Sequence, residues 1–389
     1  MDELYTIYKE LLQNTGTKFN RTLLHSINWG SRLIGITGAR GVGKTTMLLQ
    51  HIKQSGIEKD SLYVSADNIL VSGMGLFKMA GTFYRLGGKH LFIDEIHKYS
   101  NWSGEIKNIY DSFAGLKVVL TGSSILDLYH GYGDLSRRLI PYQLPGLSFR
   151  EYLLFEENHN LKPAMINDII NQKTDFNIDK PLMHFKNYLN KGYYPFYKEG
   201  DFNSRLISAV NAVLETDIPK YLDLKVSTIE KLKQLMKIIA ESSPFKPNIS
   251  KIAEMLNVSR NVLPNYLSYL ERAQLIKMLS GQTKGVRALG KTRKVYLDNT
   301  NLMNALSHSN YNIGNARETF FVNQLSQNAN IKLHDKGDFI IDEKFIFEIG
   351  GKSKTKKQIK DLKNSFIVKD DIEYGYGNII PLWHFGMLY

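Results

Sequence analysis

The 389-residue chain contains no cysteine. Disulfides, thiolate-bound metals and cysteine nucleophiles are excluded on that ground. No apolar run approaches the roughly 20 residues that a membrane-spanning helix needs. The opening MDELYTIYKELLQ carries acidic residues and a helical rhythm, so a secretory leader is not expected there and the expected location is cytoplasmic. Acid is scarce relative to base: 38 Asp and Glu against 50 Lys and Arg leave a formal charge of +12. Such an excess suits an acidic partner such as nucleic acid, and equally a solvated lysine-rich surface. With 43% hydrophobic and 23% charged residues the composition is that of a globular protein, and the length calls for two to four domains.

What is present is concentrated first between Ser31 and Gln50, SRLIGITGARGVGKTTMLLQ. Arg32 to Thr37 is a short apolar run with β-branched residues, as a buried strand should be. Gly38, Gly43, Lys44 and Thr45 then fit G-x-x-x-x-G-K-[ST]. Glycines allow consecutive backbone N–H groups from Gly38 through Ala39, Arg40, Gly41, Val42 and Gly43 to turn inward around a phosphate. The helix that follows, with Lys44, Thr45 and Thr46 in its first turn, points its positive end at the same place. Lys44 is expected on the β- and γ-phosphates of ATP, and the Thr45 hydroxyl on Mg²⁺. A chance glycine-rich turn is the competing reading, and the strand before and MLLQHI after it weigh against that.

A docking helix is expected over residues 3–13, with Leu4, Ile7, Tyr8, Leu11 and Leu12 on one face. Ser61 to Ser65 reads as a second strand. HLFIDEIH, His90 to His97, runs apolar residues into Asp94 and Glu95. Asp94 at a strand end is expected to bind Mg²⁺ beside Thr45, and Glu95 to polarise the attacking water as general base. Lys117 to Leu120 is another buried strand, followed by Thr121-Gly122-Ser123-Ser124. Lying between the two motif strands, it would place Ser123 or Ser124 near the γ-phosphate, with helix capping as the open alternative. RLIPYQL, Arg138 to Leu144, is a fifth candidate. Strands alternating with helices over residues 1–150 imply an α/β fold, a three-layer parallel sheet with nucleotide at the carboxyl ends of the strands.

The stretches GITGARGVGKTT, LFIDEIHKYSNW, VVLTGSS and LPGLSFREYL together resemble the AAA+-type P-loop ATPases of bacteria and archaea, near the STAND-like archaeal ATPases, in which the ATPase module is joined to a C-terminal region of uncharacterised function. The resemblance is dense over residues 30–155 and looser beyond. It implies an ASCE-type core with Glu95 as catalytic glutamate. It also implies an arginine finger or γ-phosphate sensor, for which Arg138 in GDLSRRL is the match, an ordinary solvated arginine being the alternative.

Residues 151–227 read as a helical region whose aromatics, as in YLNKGYYPFY, belong to a core; Gly192 and Pro195 break it. Residues 228–305 read as three helices and a hairpin, a winged helix-turn-helix pattern. The third helix is expected to start with Asn261 as N-cap, which leaves Pro264 in the first turn, where it is tolerated. Contact with duplex DNA is then expected mainly from the wing, through Lys284, Arg287, Lys291, Arg293 and Lys294, and to be weak and sequence-independent. A winged helix used only for packing is the alternative. Residues 306–389 read as α/β. The order Glu318, Asp338, Glu348 resembles the PD-(D/E)xK nuclease fold, but Gly350 stands at the lysine position and Lys352 is the nearest lysine. An inactive nuclease-like domain is expected. The whole reads as a Mg²⁺-dependent ATPase, possible as a homo-oligomer, with a slow nucleotide-gated switch or an ATP-regulated nuclease as alternatives.

Overall fold

The computed structural model describes residues 1–122, 135–219, 224–281, 294–307, 312–355 and 357–389. They form two compact units, Met1–Gly146 and Leu147–Tyr389. Among them no helix is long and apolar enough to cross a membrane.

The first unit is built on β1 (Leu33–Thr37), β2 (Ser61–Ser65), β3 (His90–Asp94), β4 (Lys117–Gly122) and β5 (Ile140–Gln143). Their order across the sheet is β2-β3-β4-β1-β5, and every pairing is parallel. Parallel strands covered on both faces read as continuous apolar runs, and all five residues of β1 are buried. β5 is an exposed edge, where the missing N–H of Pro141 is tolerated. Four helices matter to this unit: α1 (Asp2–Asn14), α2 (Lys44–Gln54), α3 (Leu76–Arg85) and α4 (Trp102–Ser112). The face that α1 buries is narrower than its periodicity suggests: Leu4 and Tyr8 are covered, while Ile7 and Leu11 remain exposed. The order puts β4 between β1 and β3, so the loops after these three strands converge on one end of the sheet.

The second unit begins with α5 (Phe149–Glu157), whose N-terminus carries a capping box made by Ser148 and Glu151. The expected boundary at residue 150 therefore falls inside a helix. Further along come α6 (Val226–Ser242), α7 (Ile249–Met255) and α8 (Leu263–Arg272), then the antiparallel pair β6 (Ile276–Leu279) and β7 (Lys294–Leu297). Pro264 lies in the first turn of α8, with Val262 rather than Asn261 at the cap. Next are α9 (Ile313–Leu325) and a mixed sheet of β8 (Ile331–Leu333), β9 (Phe339–Ile341), β10 (Phe345–Gly350), β11 (Ser365–Lys369) and β12 (Ile379–Pro381). Its order is β12-β11-β10-β9-β8, antiparallel from β8 to β10 and parallel from β10 to β12.

Of the three C-terminal segments expected separately, the first and last share one core, to which the middle one adds Leu279 and Tyr296 from its hairpin. It runs from Phe149 and Phe185 through Tyr296 and Phe320 to Phe347 and Phe385. The Phe149 ring lies 5.4 Å from Phe185, which lies 4.8 Å from Phe320. Phe321 lies 4.8 Å from Phe385, and Phe347 5.5 Å from Phe385. Gly386 packs so tightly that a Cβ there would come within 2.5 Å of the Phe149 Cβ.

Candidate functional site

β1 delivers the chain into a loop that only glycine can make at three points. A Cβ on Gly38 would lie 2.3 Å from the Leu144 carbonyl oxygen. Gly41 and Gly43 hold φ of +84° and +95°, where a side chain is strained. Ala39 and Val42 are buried beneath the loop, Arg40 is half-buried, and Gly41, Thr45 and Thr46 are exposed. α2 starts directly after Gly43, so its free N–H groups face the loop's concave side. Lys44 is buried and folds back over the loop, its Nζ donating to the Gly38 and Ala39 carbonyls at 2.9 and 3.0 Å.

β3 ends in Asp94, which is buried and surrounded by hydroxyls. Oδ2 accepts from Thr45 Oγ1 at 2.5 Å and from the Tyr63 hydroxyl at 2.7 Å. Oδ1 accepts from Thr121 Oγ1 and from the Glu95 N–H at 3.1 Å. Burial, and then the Asp94 carboxylate itself, push the Tyr63 phenol well up, so its hydroxyl stays a donor. Glu95 has φ +52° and ψ +42°, a left-handed conformation uncommon outside glycine and asparagine. Its N–H also donates to Thr121 Oγ1 at 3.1 Å. Its carboxylate lies 3.6 Å from His97 Nε2 and 3.7 Å from Lys98 Nζ. Lys98 also pairs with Asp67 at 2.6 Å; burial pulls its pKa down, but these carboxylates outweigh that and hold it above the usual value.

The groups thus assembled suit a nucleotide polyphosphate with a hard cation. The loop's backbone takes a path that Gly38, Gly41 and Gly43 permit and side chains at those positions would not. One ammonium lies across the loop. Two oxygen donors, Thr45 and Asp94, stand at hydrogen-bond distance from each other, the ligand type Mg²⁺ takes. Tyr63 and Thr121 were not singled out from the sequence; the only signal was a polar residue at the end of an apolar strand in VVLTG.

Residues 30–153 match the sequence model of a family described as an AAA domain. Over that stretch the chain is similar to AAA domains, and the parallel sheet with its glycine loop is consistent with a P-loop ATPase core. Residues 183–312 match a second family, described as a domain of unknown function (DUF8612). An uncharacterised protein of Methanocaldococcus jannaschii is 25% identical over 298 residues, which is 71% of this chain. The match spans 62% of that relative, less than two thirds of its length. Among solved structures, the Walker-type ATPase of Pyrococcus abyssi is similar with a TM-score of 0.41 and 13% identity, over 78% of this chain and 95% of that one. AMPPCP-bound DnaA from Aquifex aeolicus is similar with a TM-score of 0.27 and 15% identity, over 69% of this chain and 87% of that one.

Not every expected residue reaches this site. Arg138 does not. β5 runs parallel to β1, so a residue just before β5 lies at the end of the sheet where β1 begins, opposite the P-loop. There the Arg138 Nε and NH2 donate to the Asp111 carboxylate of α4 at 3.1 and 3.0 Å. Ser123 and Ser124 lie outside the described residues, as do Lys284, Arg287, Lys291 and Arg293 of the expected wing. Lys294 is described, and it corrects the reading of itself as a DNA contact: its Nζ lies 2.6 Å from Glu318 Oε2, both side chains only about one-fifth exposed. The Tyr296 hydroxyl donates to the same oxygen at 3.0 Å.

The second unit also moves the lysine of the nuclease-like motif. Lys352 is exposed, whereas Lys354 turns back over Gly350 and sets its Nζ 2.5 Å from Glu348 Oε1. A Cβ on Gly350 would come within 2.6 Å of the Lys354 side chain. The absence of a side chain at 350 is therefore what lets Lys354 reach the buried Glu348. Among the described residues no group of three His, Asp or Glu side chains is disposed to hold a metal ion.

Asp338 accepts from the Ile349 N–H at 2.7 Å. Burial, with Glu348 and Glu318 adding to it, pushes its pKa from 3.8 up to about 6. The folded chain therefore keeps a proton that the unfolded chain has lost, and its stability falls as pH rises from about 4 through 6. Asp338→Asn keeps an acceptor for Ile349 and removes the charge. It should match wild type near pH 4 and exceed it by about 2 kcal/mol above pH 7. Urea unfolding across that range checks this; a difference independent of pH would contradict it.

Proposed function

We propose that the AAA domain binds ATP with Mg²⁺ and hydrolyses it, and that its nucleotide state governs how the rest of the chain engages a partner. The observation that supports this reading is the convergence of Lys44, Thr45, Asp94 and Glu95 on the mouth of one glycine loop. Lys44 would leave its loop carbonyls for the phosphate oxygens. Thr45 and Asp94 would hold the cation, which when bound neutralises charge on the transferring phosphoryl group. Glu95 would orient and deprotonate the attacking water, with Thr121 and Tyr63 keeping the neighbouring Asp94 fixed. Phosphate release from ATP, dependent on Mg²⁺ and measured with and without single- and double-stranded DNA, tests this; no release and no nucleotide binding would overturn it.

One observation favours a second reading, a slow nucleotide-gated switch. The Glu95 carboxylate lies within 4 Å of Lys98 and His97, partners that compete with water for it. Steady turnover raised by DNA supports the motor or remodeller, and a single slow turnover supports the switch.

For the partner, the chain's charge of +12 and the basic stretch Lys284 to Arg293 support weak binding of duplex DNA by a winged-helix module. If those four side chains each neutralise about one phosphate, the log–log dependence of affinity on salt should have a slope of about −3 to −4. Fluorescence anisotropy on wild type and on the four-alanine variant measures it; binding that ignores the substitutions would return the module to a packing role.

A further inference from the structure

Arg21 lies outside every motif, yet it is 3% exposed. Its guanidinium donates to three backbone carbonyls: NH1 to Val42 at 2.6 Å, and NH2 to Pro145 at 2.6 Å and Gly146 at 2.9 Å. The first acceptor belongs to the phosphate loop; the other two belong to the segment that follows β5 and closes the first unit. That segment also touches the loop's opposite end, because the Leu144 N–H donates to the Thr37 carbonyl at 2.7 Å and the Leu144 carbonyl is what leaves no space for a Cβ on Gly38.

The peptide group is planar and trans, so the carbonyl of one residue and the N–H of the next point in opposite directions. Drawing the Val42 carbonyl toward Arg21 turns the Gly43 N–H the other way. Gly43 is the left-handed residue that caps α2, and its amide is one of those that a phosphate would meet. A planar fork with five N–H donors can hold carbonyls in several directions at once; a lysine ammonium on a flexible stem holds them far less rigidly.

We propose that Arg21 is a positioning residue. It sets the direction of the Gly43 N–H toward bound phosphate and ties it to the 144–146 segment, so that the segment and the nucleotide regulate each other. The proposal rests on the ATP-binding reading. Coupling between sites is reciprocal: whatever shifts residues 144–146 changes nucleotide affinity by the same factor by which nucleotide biases that segment.

The test is binding of a fluescent ATP analogue to the full chain, wild type and Arg21→Ala and Arg21→Lys, combined with amide hydrogen exchange over residues 142–146 with and without nucleotide. Affinity should fall about tenfold or more in Arg21→Ala, with a partial recovery in Arg21→Lys. Nucleotide should slow exchange over 142–146 in wild type and do so much less in the variants. Thermal melting shows whether each variant is folded; if Arg21→Ala is not, Arg21→Lys carries the test, with an expected loss of several-fold at near-wild-type melting temperature. Unchanged affinity in a folded variant of a wild type that binds ATP overturns the positioning role and leaves the ATP reading intact. Exchange over 142–146 that ignores nucleotide in wild type overturns the coupling. A wild type that binds no nucleotide overturns both.

Discussion

Lys44→Ala is expected to weaken ATP binding by at least about 100-fold, close to 3 kcal/mol at about 1.4 kcal/mol per decade. The side chain already lies across the loop, its ammonium shared between the Gly38 and Ala39 carbonyls. Little side-chain ordering remains to be done when a phosphate replaces those two weak acceptors with charged ones. Alanine removes the only ammonium that the loop itself supplies and leaves two carbonyls near the cradle without their donor, so anionic ligand would meet exposed acceptors where it met a cation. Binding of a fluorescent ATP analogue, with thermal melting to show a folded chain, measures the effect. An affinity within a factor of three of wild type would remove the P-loop assignment.

Glu95→Gln should separate the two steps that Lys44→Ala removes together. Hydrolysis should fall at least about 100-fold, the range general bases contribute, while ATP affinity stays near wild type. The geometry makes this a clean substitution. The contacts that fix residue 95 in its left-handed conformation run through its main-chain N–H, to Asp94 Oδ1 and Thr121 Oγ1, and glutamine keeps that N–H. The carboxylate itself touches neither Lys44 nor Thr45 among its described contacts, only His97 and Lys98. Single-turnover hydrolysis beside equilibrium binding distinguishes the outcomes: equal loss of both in a folded variant would exclude Glu95 as the base.

How much of this was legible in the sequence depended on how local the determinant was. The P-loop and the strand ending in Asp94 are each set by consecutive residues, and β2 and β3 fall where the apolar runs put them. Tyr63 could not be read, because its role arises only when β2 lies beside β3 and its hydroxyl reaches across to Asp94. Arg138 lies away from this chain's own loop, as topology implies: in a parallel sheet, residues before a strand lie at the end opposite those after one. Lys352 is the nearest lysine along the sequence, but Lys354 folds back over Gly350 and is the one that meets Glu348, a contact that spacing alone does not reveal. That the helices after Leu147 and the C-terminal sheet share aromatic neighbours was not legible, because changes of local pattern carry no information about which side chains meet. Arg21 gave no signal at all; a lone arginine in a connecting segment is indistinguishable from a surface residue until its acceptors are in place.

The shared aromatic core of the second unit has a consequence for how that part of the molecule behaves as a material. Phe149, near its start, and Phe385, near its other end, belong to one packed network, with Phe320 and Phe347 between them. Losing one such ring costs about 3–5 kcal/mol, a large fraction of a domain's whole stability. Damage to one of these rings should therefore loosen the N-terminal helices of the unit and its C-terminal sheet together. A cut between those helices and the sheet should leave two fragments that each expose half of a packed aromatic face, so neither is expected to fold without the other.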